Sequence, residues 1–205
     1  MKLQKTQRFA SIYLLTFGVS LLLTLGGCTE RQISTQAEAE TPQIDAESVF
    51  ANLESLLIDA TEEGLPNGTI SRSQWTYRYE DCNLVITETL SYKRTKAPFG
   101  GFNANTFSTA WESVRRLPLA QLDAKLLQQK GLYLTIHTLE SQNLIKEESR
   151  YAEAYLAYYK AENGQAHPAN SNLTYNLISL PVKEAALGSE AIEGLQRLIT
   201  HCQAY

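Results

Sequence analysis

The chain predicts an α+β domain: an N-terminal helix, a five- to seven-stranded antiparallel sheet or partly open barrel, and a C-terminal capping helix. Three observations carry that expectation. Val49, Phe50, Leu53, Leu56, Leu57 and Ala60 recur at helical spacing and make one apolar face. From residue 70 onward the apolar period shortens to two, as in half-buried strands. Helical spacing then returns in Ile192, Leu195, Leu198 and Ile199. One helix, many strands and then a closing helix is the order of an α+β domain.

Ahead of that domain stands a basic head (Lys2, Lys5, Arg8) and an apolar run from Phe9 to Leu25, broken only by hydroxyl residues and Gly18. The run is short for a comfortable spanning helix. A positive segment, an apolar segment and small residues before a cleavage point describe a secretory signal. Leu25-Gly26-Gly27-Cys28 resembles the lipobox of bacterial lipoproteins. The resemblance implies that residues 1–27 are a signal peptide cut before Cys28. It also implies that the Cys28 thiol is lipidated with a diacylglyceryl group, palmitate-like chains anchoring the protein. Two or more acyl chains hold a protein stably where one does not. Thr29 rather than Asp follows the cysteine, which by the same resemblance implies an outer-membrane lipoprotein of the cell envelope facing the periplasm.

Residues 28–43 are polar, with little to bury, and read as a flexible tether; residues 44–205 then form a single α+β domain. Thr41-Pro42 reads as the opening of the first helix, with Pro tolerated at its first position. Gly64, Pro66 and Asn67-Gly68 stop it. Trp75, Tyr77 and Tyr79 alternate with Gln74, Thr76 and Arg78; Cys82, Leu84, Ile86 and Leu90 share the inner face of the next run. These predict two antiparallel strands joined near Glu80-Asp81. A Gly-rich loop follows at Pro98–Asn103, then a strand over 107–119, a short helical turn over 122–127, and a strand with Leu132, Leu134 and Ile136 inward. Tyr151, Tyr155, Tyr158 and Tyr159 have helical spacing, yet Asn163-Gly164 and the run Leu173–Leu180 favour a long hairpin, so residues 151–159 are read as strand. Gly188 or Ser189 opens the last helix. The order is compatible with a pleckstrin-homology-like barrel capped by a helix, an analogy that says little about activity.

Signal removal takes away three basic and no acidic residues, moving the formal net charge from −4 to −7. Such a body argues against nucleic acid, which needs a basic stripe, and against electrostatic adhesion to anionic lipid. With Cys28 lipidated, Cys82 and Cys202 remain as an even pair in an oxidising space, and a disulfide between them is the natural expectation. Two buried free thiols are the alternative.

No catalytic motif emerges. Gly188-Ser189-Glu190 reads as a helix cap rather than a nucleophile elbow, and Gly100-Gly101 leads into no phosphate-binding pattern. His137, His167 and His201 read as surface or capping residues. The pairs Glu62-Glu63, Glu80-Asp81 and Glu147-Glu148 are sequence neighbours whose side chains point apart. No cofactor and no metal set is expected. Eleven Tyr against six Phe is the suggestive feature, because phenol rings favour interfaces and sugar-like or peptide ligands. Trp75, Tyr77, Tyr79, Tyr155 and Tyr159 are the candidate binding face. The expected function is a non-catalytic, membrane-anchored envelope lipoprotein that binds a protein partner or supports an assembly. A small-ligand or glycan-binding lipoprotein is the alternative, and an envelope hydrolase ranks third.

Overall fold

The computed structural model describes residues 44–65, 68–94 and 106–205. The signal segment, Cys28, the tether, Thr41-Pro42 and the loop Pro98–Asn103 lie outside the described residues. Helix α1 spans Ala46–Leu56. Its N-cap is Asp45, whose carboxylate accepts from the Ser48 amide at 3.3 Å and the Ser48 hydroxyl at 2.5 Å. Those bonds hold the Asp45 carboxyl below its ordinary pKa and satisfy an otherwise orphaned first-turn donor.

Among the described residues nine strands follow, all antiparallel where they pair. Strands β1 (Ala60–Gly64), β2 (Thr69–Glu80), β3 (Asn83–Arg94), β4 (Ser108–Pro118), β7 (Ile145–Tyr151) and β8 (Asn170–Tyr175) form a six-stranded open sheet in the order β1-β2-β3-β4-β7-β8. Strands β5 (Gln128–Lys130), β6 (Tyr133–His137) and β9 (Leu177–Pro181) form a second sheet in the order β5-β6-β9. The α+β class with a C-terminal helix is thus as the sequence predicts, but the main sheet stays open, and the smaller sheet was not legible. Residues 122–127 form a turn, with Leu126 N–H donating to the Asp123 carbonyl at 3.2 Å; the short 3-10 helix precedes it at Leu119–Gln121.

Residues 152–159 are not strand. Strand β7 ends at Tyr151, and helix α2 spans Glu153–Asn163. Ala154, Ala157 and Ala161 are strong helix formers, Glu153 sits in the first turn and Lys160 in the last. The Asn163-Gly164 dipeptide caps this helix instead of turning a hairpin. Gly164 adopts φ 69°, and its N–H donates to the Lys160 carbonyl at 2.9 Å. Leu173–Leu180 is likewise divided between β8 and β9, which belong to different sheets.

Helix α3 (Gly188–Gln203) packs against α1, and both lie over one half of the inner sheet face. Leu53 of α1 and Leu195, Leu198 and Ile199 of α3 are fully buried with Leu84, Ile86, Leu117 and Ile145 of the main sheet. Leu134, Ile136, Leu180 and Val182 extend this core into the small sheet. A disulfide joins Cys82 to Cys202, with Cα atoms 5.6 Å apart, inside the range a bridge requires. It ties the end of α3 to the β2–β3 turn. In that turn Asp81 and Cys82 both take positive φ (47° and 57°), the pair of left-handed residues that a two-residue hairpin loop needs.

Candidate functional site

Parity along the strands decides what each half of the inner sheet face presents. In β2 and β3 the inward residues are Thr69, Ser71, Ser73, Trp75, Tyr77 and Tyr79, paired in register with Arg94, Tyr92, Leu90, Glu88, Ile86 and Leu84. The half built on Leu84 and Ile86 lies under α1 and α3. Helix α2 lies by the other half, leaving no residue of its own fully buried.

Beside α2 the tyrosines gather. A groove of about 250 Å³ is lined by Leu65, Thr69, Tyr92 and Arg94 from the hairpin side and by Tyr155, Tyr158, Tyr159 and Asn163 from α2. The Arg94 guanidinium stands 4.3 Å from the centre of the Tyr158 ring, a cation–π contact at a side chain only 9% exposed. Behind the groove runs a chain of rings: Trp111 to Tyr151 at 6.5 Å, Tyr151 to Tyr155 at 5.8 Å, Tyr155 to Tyr159 at 6.2 Å. His167 sits edge-on to this chain, 4.3 Å from Tyr151 and 4.9 Å from Tyr159. Its Nδ1 donates to the Pro168 carbonyl at 2.8 Å, since a carbonyl only accepts. Burial, and then the neighbouring phenols, raises the Tyr92 and Tyr155 pKa above the ordinary value. These phenols therefore stay neutral at physiological pH and offer flat apolar faces with hydroxyl rims. That is binding chemistry for an amphipathic ring or peptide side chain, with no activated nucleophile in it.

Between the aromatic half and the apolar half lies a half-buried ionic row. Arg115 of β4 bridges Glu88 of β3, with Nη1 to Oε2 at 2.9 Å, and Glu147 of β7, with Nε to Oε2 at 2.7 Å. The Ser149 hydroxyl donates to Glu147 at 3.0 Å. Burial pushes the Glu147 pKa up, but the Arg115 bond and charge outweigh it and hold the carboxyl below its ordinary range. Ser113 Oγ, buried beside them, makes no well-aligned hydrogen bond among the described residues.

The five residues of the candidate binding face are not brought together. Tyr77 is core, 5% exposed, with its hydroxyl donating to the Ile58 carbonyl at 2.7 Å. Tyr79 stacks on Phe50 of α1 at 6.0 Å. Trp75 is half-buried against the same core. Tyr155 and Tyr159 alone line the groove. The other aromatic and charged residues of that groove, Tyr92, Arg94 and Tyr158, were missed, although Tyr92 and Arg94 continue the inward parity of Leu84 and Ile86. Of the histidines, His137 lies on β6, His167 before β8 and His201 on α3 beside Tyr205, three separate places. Among the described residues no group of three His, Cys, Asp or Glu could hold a metal ion.

Comparison with family models, with curated proteins and with solved structures finds no significant match.

Proposed function

We propose that this chain is a lipid-anchored bacterial envelope lipoprotein, held at the outer membrane on the periplasmic side, whose domain is a non-catalytic protein-binding or assembly module. The observation that carries the reading is Leu25-Gly26-Gly27-Cys28 behind a basic head and an apolar run. The Cys82–Cys202 bridge supports it, because such bonds persist in oxidising compartments. For the binding role, support comes from the outer face of the main sheet. Gln74, Thr76, Arg78, Glu112, Arg116, Lys146, Glu148 and Arg150 are all exposed there, a surface of mixed charge suited to specific pairing.

Two measurements test this. Cys28→Ser removes the thiol needed for lipidation, so it should abolish incorporation of a labelled fatty acid and move the protein out of the membrane fraction. Unchanged labelling would refute the anchor. Photo-crosslinking residues placed at Thr76, Arg116 and Glu148 should each give the same discrete adduct in intact cells. Silence at all three positions would refute the outer face as the binding surface.

The groove favours a second reading, a small-ligand or glycan-binding lipoprotein. Its volume suits a single sugar ring, and its neutral phenols supply stacking faces and hydroxyls. Oligosaccharides of cell-wall type should then raise the melting temperature of the protein, and Tyr158→Ala should cancel that rise.

A further inference from the structure

The two edges of the main sheet are treated differently by the sequence. Strand β1 is fully exposed but carries Glu62 and Glu63, with Glu62 paired to Arg72. Charge of that kind discourages another strand from adding on. Strand β8 reads Asn170-Ser171-Asn172-Leu173-Thr174-Tyr175, with no charge and no proline. Among the described residues nothing pairs with its outer side.

The direction of its backbone groups follows from one bond. Tyr151 N–H donates to the Ala169 carbonyl at 2.9 Å. With the β7–β8 register, that bond sets the alternation. Ser171, Leu173 and Tyr175 direct their amides at β7, while Asn170, Asn172 and Thr174 direct theirs outward. Leu173, 48% exposed, stands on the inner face of this open edge.

We propose that β8 is a homodimerisation edge, pairing antiparallel with β8 of a second copy about a two-fold axis through Leu173. In that register Asn172 and Thr174 exchange backbone hydrogen bonds with Thr174 and Asn172 of the second copy, using the outward groups. Leu173 then meets its own counterpart at a non-hydrogen-bonded position, where side chains come closest. Ser171 falls opposite Tyr175, hydroxyl to hydroxyl. The axis lies near the middle of β8, so the register uses the whole strand and brings no charge against charge. A register centred on Asn172 sets Leu173 against Ser171, and one centred on Ser171 sets it against Ala169 beyond the end of the strand, so neither pairs leucine with leucine. The two sheets become one continuous sheet, with an isologous interface of the kind most homodimers use.

A six-residue edge buries less than the roughly 1,200 Å² of a standard stable interface, so the pairing is weak in dilute solution. Two copies tethered in one membrane meet at a far higher effective concentration. The pairing itself is drawn from β8 alone; the anchoring proposed above only raises its yield.

Cysteine trapping in intact cells tests it on the full chain. Leu173→Cys places two thiols on the axis, and mild oxidation should convert most of the protein to a species of twice the monomer mass, linked through Cys at 173 by peptide mapping. Ser171→Cys, off the axis, should stay monomeric. Adding Thr174→Pro to Leu173→Cys deletes an outward amide that the fold does not use, and should abolish the trapped dimer while leaving the Cys82–Cys202 bridge closed. A monomeric Leu173→Cys protein in the membrane fraction would overturn the pairing and leave the anchor standing. Adducts of other masses would overturn it in favour of a different chain at the same edge. Should the protein fractionate as soluble, the anchor fails, and the same trap read on concentrated protein still decides the pairing.

Discussion

Replacing Arg115 by Met is the sharpest probe of how the inner face of the main sheet is held together. Arg115 sits on β4 between two neighbouring strands, at 2.9 Å from Glu88 and 2.7 Å from Glu147, and the three side chains are 21%, 14% and 12% exposed. The methionine keeps the aliphatic volume and removes every donor. Glu88 loses its Arg115 partner, while Glu147 retains the Ser149 hydroxyl. Breaking a buried pair by deleting one partner costs about 3–5 kcal/mol. Residual exposure places this case near the lower end, about 3 kcal/mol. At a slope of about 2 kcal/mol per molar, the urea midpoint should fall by about 1.5 M.

The pH dependence gives the loss a sign. In the wild type the folded Glu147 pKa is depressed, so its contribution is present above the unfolded value near 4.5 and is lost as pH falls through the folded one. Without Arg115, burial is opposed only by hydrogen bonds from serine hydroxyls, and it pushes the Glu147 carboxyl up. The variant is then penalised most at neutral pH, and protonation relieves it on acidification. Urea titrations at about pH 7 and about pH 5 should show the gap between variant and wild type narrowing at the lower pH. Adding Glu88→Gln and Glu147→Gln to the Arg115→Met variant should recover part of the loss at pH 7. A gap below about 1 kcal/mol, or one independent of pH, would refute an ionic row that organises the sheet.

Three further outcomes follow from the core. Opening the bridge by Cys202→Ser frees a sequence separation of 120 residues, for which chain entropy gives about 5 kcal/mol as an upper figure; a loss of about 3–5 kcal/mol in denaturant melts is expected, and reductant should produce it in the wild type but not in the variant. Tyr77→Phe removes the hydroxyl that satisfies the Ile58 carbonyl at 2.7 Å, and should cost about 1–2 kcal/mol without altering the circular dichroism spectrum. Gly188→Ala puts a methyl into the side-chain amide of Gln129, which donates to the Gly131 and Ala185 carbonyls at 2.9 and 2.6 Å. The amide is the end of a flexible side chain with solvent-exposed bonds and can swing aside, so stability should fall by only about 1 kcal/mol or less, and Gln129→Ala in the same chain should lessen the added penalty, read by thermal melts.

The fold was legible where local pattern and tertiary environment agree. The β2–β3 hairpin shows period two because one face meets α1 and α3 while Gln74, Thr76 and Arg78 meet water. Helix α2 was misread because its local signals serve two structures equally. Tyrosine favours strands, and Asn-Gly turns a hairpin as readily as it caps a helix. What settles the matter is non-local: β7 has already filled its place beside β4, and the uncovered half of the inner face needs an aromatic lid. The groove was hidden for a related reason, since Tyr92 and Tyr158 meet only once β3 and α2 are placed. Glu88, Arg115 and Glu147 are a different case. Each occupies an inward position two residues from a buried aliphatic side chain, Glu88 from Ile86, Arg115 from Leu117 and Glu147 from Ile145. Charges of opposite sign at inward parity on three strands are a signal in themselves, because a lone charge there would be expelled. Matching them requires the strand order β3-β4-β7, which no period encodes. These deviations from binary pattern went unread in the sequence, where Glu147 counted only as a surface neighbour of Glu148, and the strand order is what turns three anomalies into one interaction.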